Sequence, residues 1–212
     1  HGEYTRLVLA ASDIESCFTL TQIGLNFAEK YQIPVFLLTE KQIAESFFQV
    51  DHMPAAVPIE RHILSDAEAQ TMQSEDRFKV TPSGISPRWL PGQSDATYIA
   101  NSDEHLEDGS LTEEADTSWA MYQKRLNKEA TLLAELPEPI VYGSQNPDIS
   151  FVGWGSVKNT MLDVLKDLSE HTDLKIAYLH YEYVFPLKTE VFKTFAGSAK
   201  RLVLVENNAT GQ

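Results

Sequence analysis

Four short stretches of this chain hold residue types that could do chemistry. The first is Gly153-Trp154-Gly155-Ser156. Glycines between a strand and a helix permit a tight turn, and the N–H groups at the helix start can hold an anion. A dinucleotide fingerprint needs a third glycine three residues after the second, and that position is Lys158. The stretch therefore reads as a tight turn, or as a contact for an anion or a partner's backbone. The second stretch runs from Thr81 to Gly92. Pro82, Pro87 and Pro91 with Gly84 and Gly92 fix its backbone path. Arg88, with Ser86 nearby, is suited there to gripping a carboxylate or phosphate by its planar fork. The alternative is an arginine that bonds loop carbonyls and holds the loop's own shape.

The third stretch ends in Asp103-Glu104-His105. That triplet invites a metal reading, or an acid–base role for His105. Adjacent residues rarely converge on one ion, and no second cluster has ligand spacing. The alternative is a polar loop that caps the following helix. The fourth stretch, Glu206-Asn207-Asn208-Ala209-Thr210-Gly211-Gln212, follows the last strand at its C-terminal edge. Open α/β sheets place their sites there.

The elements that must position these stretches fall into three parts. In residues 1–50, Arg6-Leu7-Val8-Leu9-Ala10 predicts a strand. Ser12 and Glu15 stand at capping-box spacing before a helix to about Tyr31. Ile33 to Leu38 predicts a strand buried on both faces. One βαβ unit cannot bury enough surface to be a domain, so this part is expected to be the end of one. Residues 51–136 read as an ordered linker, with a short helix in Ser65–Gln73 and a long helix over about 112–136. Ser110 and Thr112 offer caps for the long helix, with Glu113 and Glu114 in its first turn. Ala115, Trp119, Tyr122, Leu126 and Leu133 form its expected packing stripe, with Lys124, Arg125 and Lys128 away from it or along its edge. Residues 137–212 alternate strand and helix, as an open and mainly parallel α/β sheet does.

Composition narrows the function. The 212 residues carry a formal net charge of −14, which argues against a nucleic-acid partner and against an anionic membrane surface. No apolar run is long enough to span a bilayer, and a soluble cytoplasmic protein is the expectation. Cys17 is the single cysteine. It cannot form an internal disulfide or hold an iron–sulfur cluster, and it falls in a helical pattern as a small core residue. The chain opens on His1, not Met, and is expected to be processed or cut from a longer one.

Taken in order, the stretches resemble the alpha subunit of 2-oxoacid:ferredoxin oxidoreductases, of the 2-oxoglutarate or general 2-oxoacid type. The residues that carry the resemblance are Ser83-Gly84-Ile85-Ser86-Pro87-Arg88 with Pro91-Gly92, and Ala100 to His105 with Gly109 and Thr112-Glu113. Lys124-Arg125, Tyr142-Gly143, Val152 to Ser156, and Val205-Glu206-Asn207 with Gly211-Gln212 continue it. Val8-Leu9-Ala10, Ala28 to Tyr31 and Pro34-Val35 fit the region upstream of these.

The resemblance implies the end of a thiamine-diphosphate pyrimidine-binding domain, then the linker, then a transketolase C-terminal-like domain. It implies oxidative decarboxylation of a 2-oxoacid to an acyl-CoA, with ferredoxin as electron acceptor. Thiamine diphosphate and magnesium would belong to the complete enzyme. The iron–sulfur cluster and coenzyme A would come through a beta subunit, and no cofactor is expected on this chain alone. Implied partners are that beta subunit, an upstream alpha-subunit segment and, through the assembly, ferredoxin.

The family's Tyr-Pro-Ile-Thr-Pro motif, its pyrimidine-contacting Glu, and the Arg and Thr that hold the substrate carboxylate have no counterpart here. No catalytic residue is transferred, and the chain alone is expected to be inactive. Arg88, Ser86, Asp103, Glu104, His105, Gly153, Gly155, Glu206 and Asn207 stand as candidates for site-facing or interface roles. Two rivals are a non-catalytic assembly subunit and a metal-dependent hydrolase built on Asp103, Glu104 and His105.

Overall fold

The computed structural model describes residues 4–209. His1 and the Thr210-Gly211-Gln212 end of the fourth stretch lie outside the described residues. The chain opens with β1 (Leu7–Ala10), α1 (Ile14–Tyr31), β2 (Val35–Leu38) and α2 (Lys41–Glu45). Next come α3 (Asp66–Ala69), a 3-10 turn at Ser74–Asp76 and α4 (Ala115–Glu135). β3 (Ile140–Gly143), β4 (Ile149–Trp154), α5 (Val157–His171), β5 (Ile176–Tyr181), β6 (Tyr183–Phe185), α6 (Glu190–Ser198) and β7 (Leu202–Leu204) complete it. Two compact units result. One comprises the residues up to Arg6 with Asn26–Pro34 and Ile59–Ala134, and the other Leu7–Leu25, Val35–Pro58 and Glu135 onward.

The second unit holds both sheets. One has the order β2-β1-β6 and the other β3-β5-β4-β7. In the larger sheet β4 pairs in parallel with β5 and with β7, and β3 is antiparallel to β5. The sheet is thus mainly parallel, as its alternating sequence predicts. Every residue of β5 is buried. One face of it packs Ala177, Leu179 and Tyr181 against Val152, Phe195 and the half-buried Trp154, Val191 and Phe192. β6 is too short to announce itself in sequence. It begins two residues after β5 ends and pairs antiparallel with β1.

Three expectations near the N-terminus are not met. The box that starts α1 is shifted by one residue. The Ser16 N–H donates to Asp13 Oδ1 at 2.7 Å, and the Asp13 N–H donates to Ser16 Oγ at 2.9 Å. Asp13 therefore caps the helix in place of Ser12, whose hydroxyl receives Lys158 instead. β2 is not buried on both faces, because it is an edge strand and α1 covers one side only. On that side Gly24 lets the helix approach until an added Cβ would sit 3.1 Å from Val35 Cγ1. On the other, Phe36 and Leu38 stay 45% and 39% exposed among the described residues. Cys17 is half-buried, not a core residue.

In the first unit α4 turns an unexpected face inward. Its buried residues are Met121, Lys124, Lys128 and Leu132, three or four apart and so on one side of the helix. The expected stripe lies elsewhere, and Trp119 is 62% exposed. Two lysines can be buried because carbonyl oxygens meet their ammonium groups: Lys124 Nζ donates to the Phe78 carbonyl and Lys128 Nζ to that of Gln32. The loop containing Gly84 lies against this helix. Gly84 has φ +76°, and an added Cβ would lie 2.2 Å from the Lys124 carbonyl oxygen. The helix itself starts at Ala115, later than about 112. Thr112 Oγ1 accepts the Glu114 N–H, and Glu114 O accepts the Ser118 N–H.

Candidate functional site

In the second unit, two of the four stretches meet on a residue that was not singled out in the sequence. β4 ends in the Gly153-to-Ser156 turn, and α5 starts at Val157. The Glu40 carboxylate sits in that turn. It accepts the Ser156 N–H at 3.3 Å and also the Ser156 hydroxyl. Asn207, just beyond β7, donates its side-chain N–H to Glu40 Oε2 at 3.0 Å. Gly155 makes room with φ +67°, since a Cβ there would fall 2.6 Å from Glu40 Oε1. The helix start that could hold an anion thus holds the chain's own carboxylate. Glu206 braces the same corner by accepting the N–H groups of Asn207 and Asn208.

Gly153 serves a different pair. It lies opposite His180 in the ladder, and an added Cβ would stand 3.2 Å from the Tyr178 hydroxyl. That hydroxyl and His180 Nδ1 are 2.8 Å apart, and both residues are fully buried. Burial lowers the His180 pKa to about 4, so the ring is neutral at neutral pH. Lys158, which breaks the dinucleotide pattern, reaches back to Asp13 Oδ2 at 3.3 Å and Glu182 at 3.9 Å.

In the first unit the other stretches are tied into loops. Arg88 Nη2 donates to Glu29 and to the Arg61 carbonyl, the latter at 2.8 Å. Ser86 is buried, and its hydroxyl donates to the Lys79 carbonyl at 3.0 Å. Asp103, Glu104 and His105 do not converge. Asp103 is exposed, with its N–H on Asn101 Oδ1. Both carboxylate oxygens of Glu104 accept from the Arg125 fork, which holds this carboxyl below the usual carboxylate range. His105 Nδ1 lies 2.7 Å from the Leu106 carbonyl, and its ring packs on Phe78 at 4.5 Å.

In sequence Lys124 and Lys128 stand away from the expected packing stripe or along its edge, and Lys124 also carries part of the resemblance. They stand with Arg77 and Arg125 in a group of cations whose mutual repulsion is felt at both lysines. Burial first, then these neighbours, lower each lysine to about 8. The signal available in sequence was their spacing with Met121 and Leu132.

The thiamine diphosphate and magnesium that the resemblance implies do not fit the described residues as a complete set. Among them no three His, Cys, Asp or Glu side chains gather to hold a divalent ion. The α5 N-terminus, which could hold an anion, is occupied by the Glu40 carboxylate.

Comparison with known proteins agrees with the resemblance. A family model described as pyruvate flavodoxin/ferredoxin oxidoreductase, thiamine diP-bdg, matches residues 2–124. The alpha subunit of 2-oxoacid:ferredoxin oxidoreductase 1 from Sulfurisphaera tokodaii is 32% identical over 100% of this chain and 33% of its own length. The 2-oxoglutarate synthase subunit KorA of Methanocaldococcus jannaschii is 24% identical, over 98% of this chain and 54% of its own. A solved 2-oxoglutarate:ferredoxin oxidoreductase from Magnetococcus marinus, with 2-oxoglutarate, coenzyme A and succinyl-CoA bound, superposes with a TM-score of 0.84. It is 27% identical and covers 98% of this chain and 36% of its own. The chain spans about a third of the length of the first of these relatives. With the family model covering more than half of its residues, the chain belongs to the pyruvate flavodoxin/ferredoxin oxidoreductase family of thiamine-diphosphate-binding proteins.

Proposed function

We propose that this chain works as part of the alpha subunit of an enzyme that oxidatively decarboxylates a 2-oxoacid to its acyl-CoA and passes the electrons to ferredoxin. The observation that carries this reading is the TM-score of 0.84 over 98% of the chain to an enzyme solved with 2-oxoglutarate and coenzyme A bound. Thiamine diphosphate with magnesium, and an iron–sulfur cluster, belong in this reading to the assembled enzyme. A beta subunit supplies the divalent-ion site that the described residues of this chain lack. The compartment is the cytoplasm. Among the described residues no helix is long and apolar enough to cross a membrane.

The candidate residues take positioning and interface roles in this reading. Arg88, Ser86 and Glu104 each spend their side chains on fixed partners, and Gly153, Gly155, Glu206 and Asn207 shape the corner around Glu40. Asp103 and His105 belong to the loop that Glu104 anchors on α4. An assembly role is favoured by apolar side chains open to contact, with Phe47 fully exposed and Ile59 85% exposed.

The test is to isolate the native complex through a tag on this chain. It is then assayed for reduction of ferredoxin that depends on both a 2-oxoacid and coenzyme A. Activity with 2-oxoglutarate or pyruvate supports the proposal. A complex that contains this chain, binds thiamine diphosphate and reduces no acceptor with any 2-oxoacid leaves only the assembly role.

A further inference from the structure

Lys128 is 9% exposed, yet it lines a cavity of about 280 Å³ in the first unit together with Arg125, Tyr4 and Thr5. We propose that this cavity binds a phosphate group, with Lys128 and Arg125 as its charged walls. Arg77, Lys124, Lys128 and Arg125 lie close enough for their charges to be felt at the lysines. Two carboxylates stand against these four cations: Glu104 on Arg125, and Glu107 acting on Lys124. Arg125 on the cavity wall is already paired with Glu104, whereas Lys128 stands there with no carboxylate partner among the described residues, in a chain whose net charge is −14. A phosphate supplies the missing negative charge together with several acceptor oxygens for the remaining N–H donors of Lys128.

Hydrogen bonding points the same way. An ammonium group has three N–H donors. Lys128 directs one at the Gln32 carbonyl, at 3.1 Å, and Lys124 directs one at the Phe78 carbonyl. Arg77 gives Nη1 to Gln32 Oε1 at 3.1 Å, and its buried Nε has no partner. These acceptors are neutral dipoles. They solvate the cations without cancelling their charge, and a buried cation without a counter-ion is costly. The volume is below that of ordinary small-molecule pockets, which suits a phosphate or a small phosphate ester. No cluster of metal-ligating side chains accompanies it among the described residues.

Inorganic phosphate is the probe, titrated into the full chain near neutral pH at ionic strength held constant with potassium chloride. Calorimetry and the phosphorus-31 line width both report binding. The wild type should show one saturable site. K128Q should bind at least about tenfold more weakly, and K128R should retain most of the affinity. Phosphate should also slow acylation of Lys128 in the wild type, read by peptide mass, and that readout decides the matter if K128Q fails to fold. Acetate and 2-oxoglutarate in parallel titrations distinguish a phosphate site from a carboxylate site. Absence of saturation in the wild type, equal binding by a folded K128Q, or equal competition by acetate overturns the proposal.

Discussion

Replacing Lys128 by methionine should stabilise the first unit, although it removes a buried hydrogen bond. The side chain is 9% exposed, and its pKa falls from 10.5 to about 8 on folding. At about 1.4 kcal/mol per tenfold change, keeping the ion charged costs roughly 3 kcal/mol. Methionine has similar length and no charge, so that cost disappears. The Gln32 carbonyl loses its donor, which costs about 1–2 kcal/mol. The net expectation near neutral pH is a gain of about 1–2 kcal/mol, in line with buried ions replaced by apolar residues of similar volume.

The pH dependence has a definite sign. Below about 8 the lysine is charged in both states, and the whole cost is present. Between about 8 and 10.5 the unfolded chain holds more protons, so wild-type stability rises with pH. K128M should therefore lead the wild type near neutrality and lose that lead by about pH 10. Urea unfolding in phosphate-free buffer, followed by the fluorescence of buried Trp89, measures both. The reasoning is refuted if K128M is less stable than the wild type near neutrality, or if the difference does not change with pH.

Three other outcomes are expected. Glu40→Ala should destabilise the start of α5 by about 1–2 kcal/mol and free the Asn207 side chain, read as faster hydrogen exchange at Ser156 and the first turn of the helix. Gly109→Ala and Gly92→Ala have similar positive φ values of +86° and +91°, but an added Cβ meets the Ile99 carbonyl oxygen at 1.7 Å in the first and nothing within 4 Å in the second. The first should cost more than about 3 kcal/mol and the second about 1 kcal/mol, compared by thermal melting. Arg88→Ala should lower stability by about 1–3 kcal/mol, because Glu29 keeps only Arg61. In the assembled enzyme, unchanged steady-state kinetics and subunit assembly would confine Arg88 to holding its own loop.

The sequence carried most of the elements, because long apolar runs and helix-period patterns report local structure well. β5 and α5 fall within a few residues of where periodicity puts them. β6 was not legible, because three residues that pair with a strand more than 170 positions away leave no local pattern. The inward face of α4 was misread for a physical reason. A count of apolar residues treats Lys124 and Lys128 as solvent-facing, whereas two backbone carbonyls make their burial tolerable. The glycine turn and Asn207 were both visible as candidates. The carboxylate joining them was not, because Glu40 is 167 residues from Asn207 and sits in no motif.

Gln32 shows how one position can be fixed from two directions at once. Its backbone is left-handed, with φ +52°, a conformation that costs a side-chain-bearing residue roughly 1–2 kcal/mol. Glycine would remove that cost, and asparagine would lower it. Neither can replace what the longer amide does. Its side-chain oxygen accepts from Arg77, its side-chain nitrogen donates to the Ser86 carbonyl at 2.7 Å, and its main-chain oxygen accepts from Lys128. The local preference of the chain and the wiring of three distant segments make opposite demands here, and the wiring wins. Substitutions that ease the backbone at this position therefore exchange a small local relief for the loss of a shared junction, which makes it a place where sequence drift should be slow.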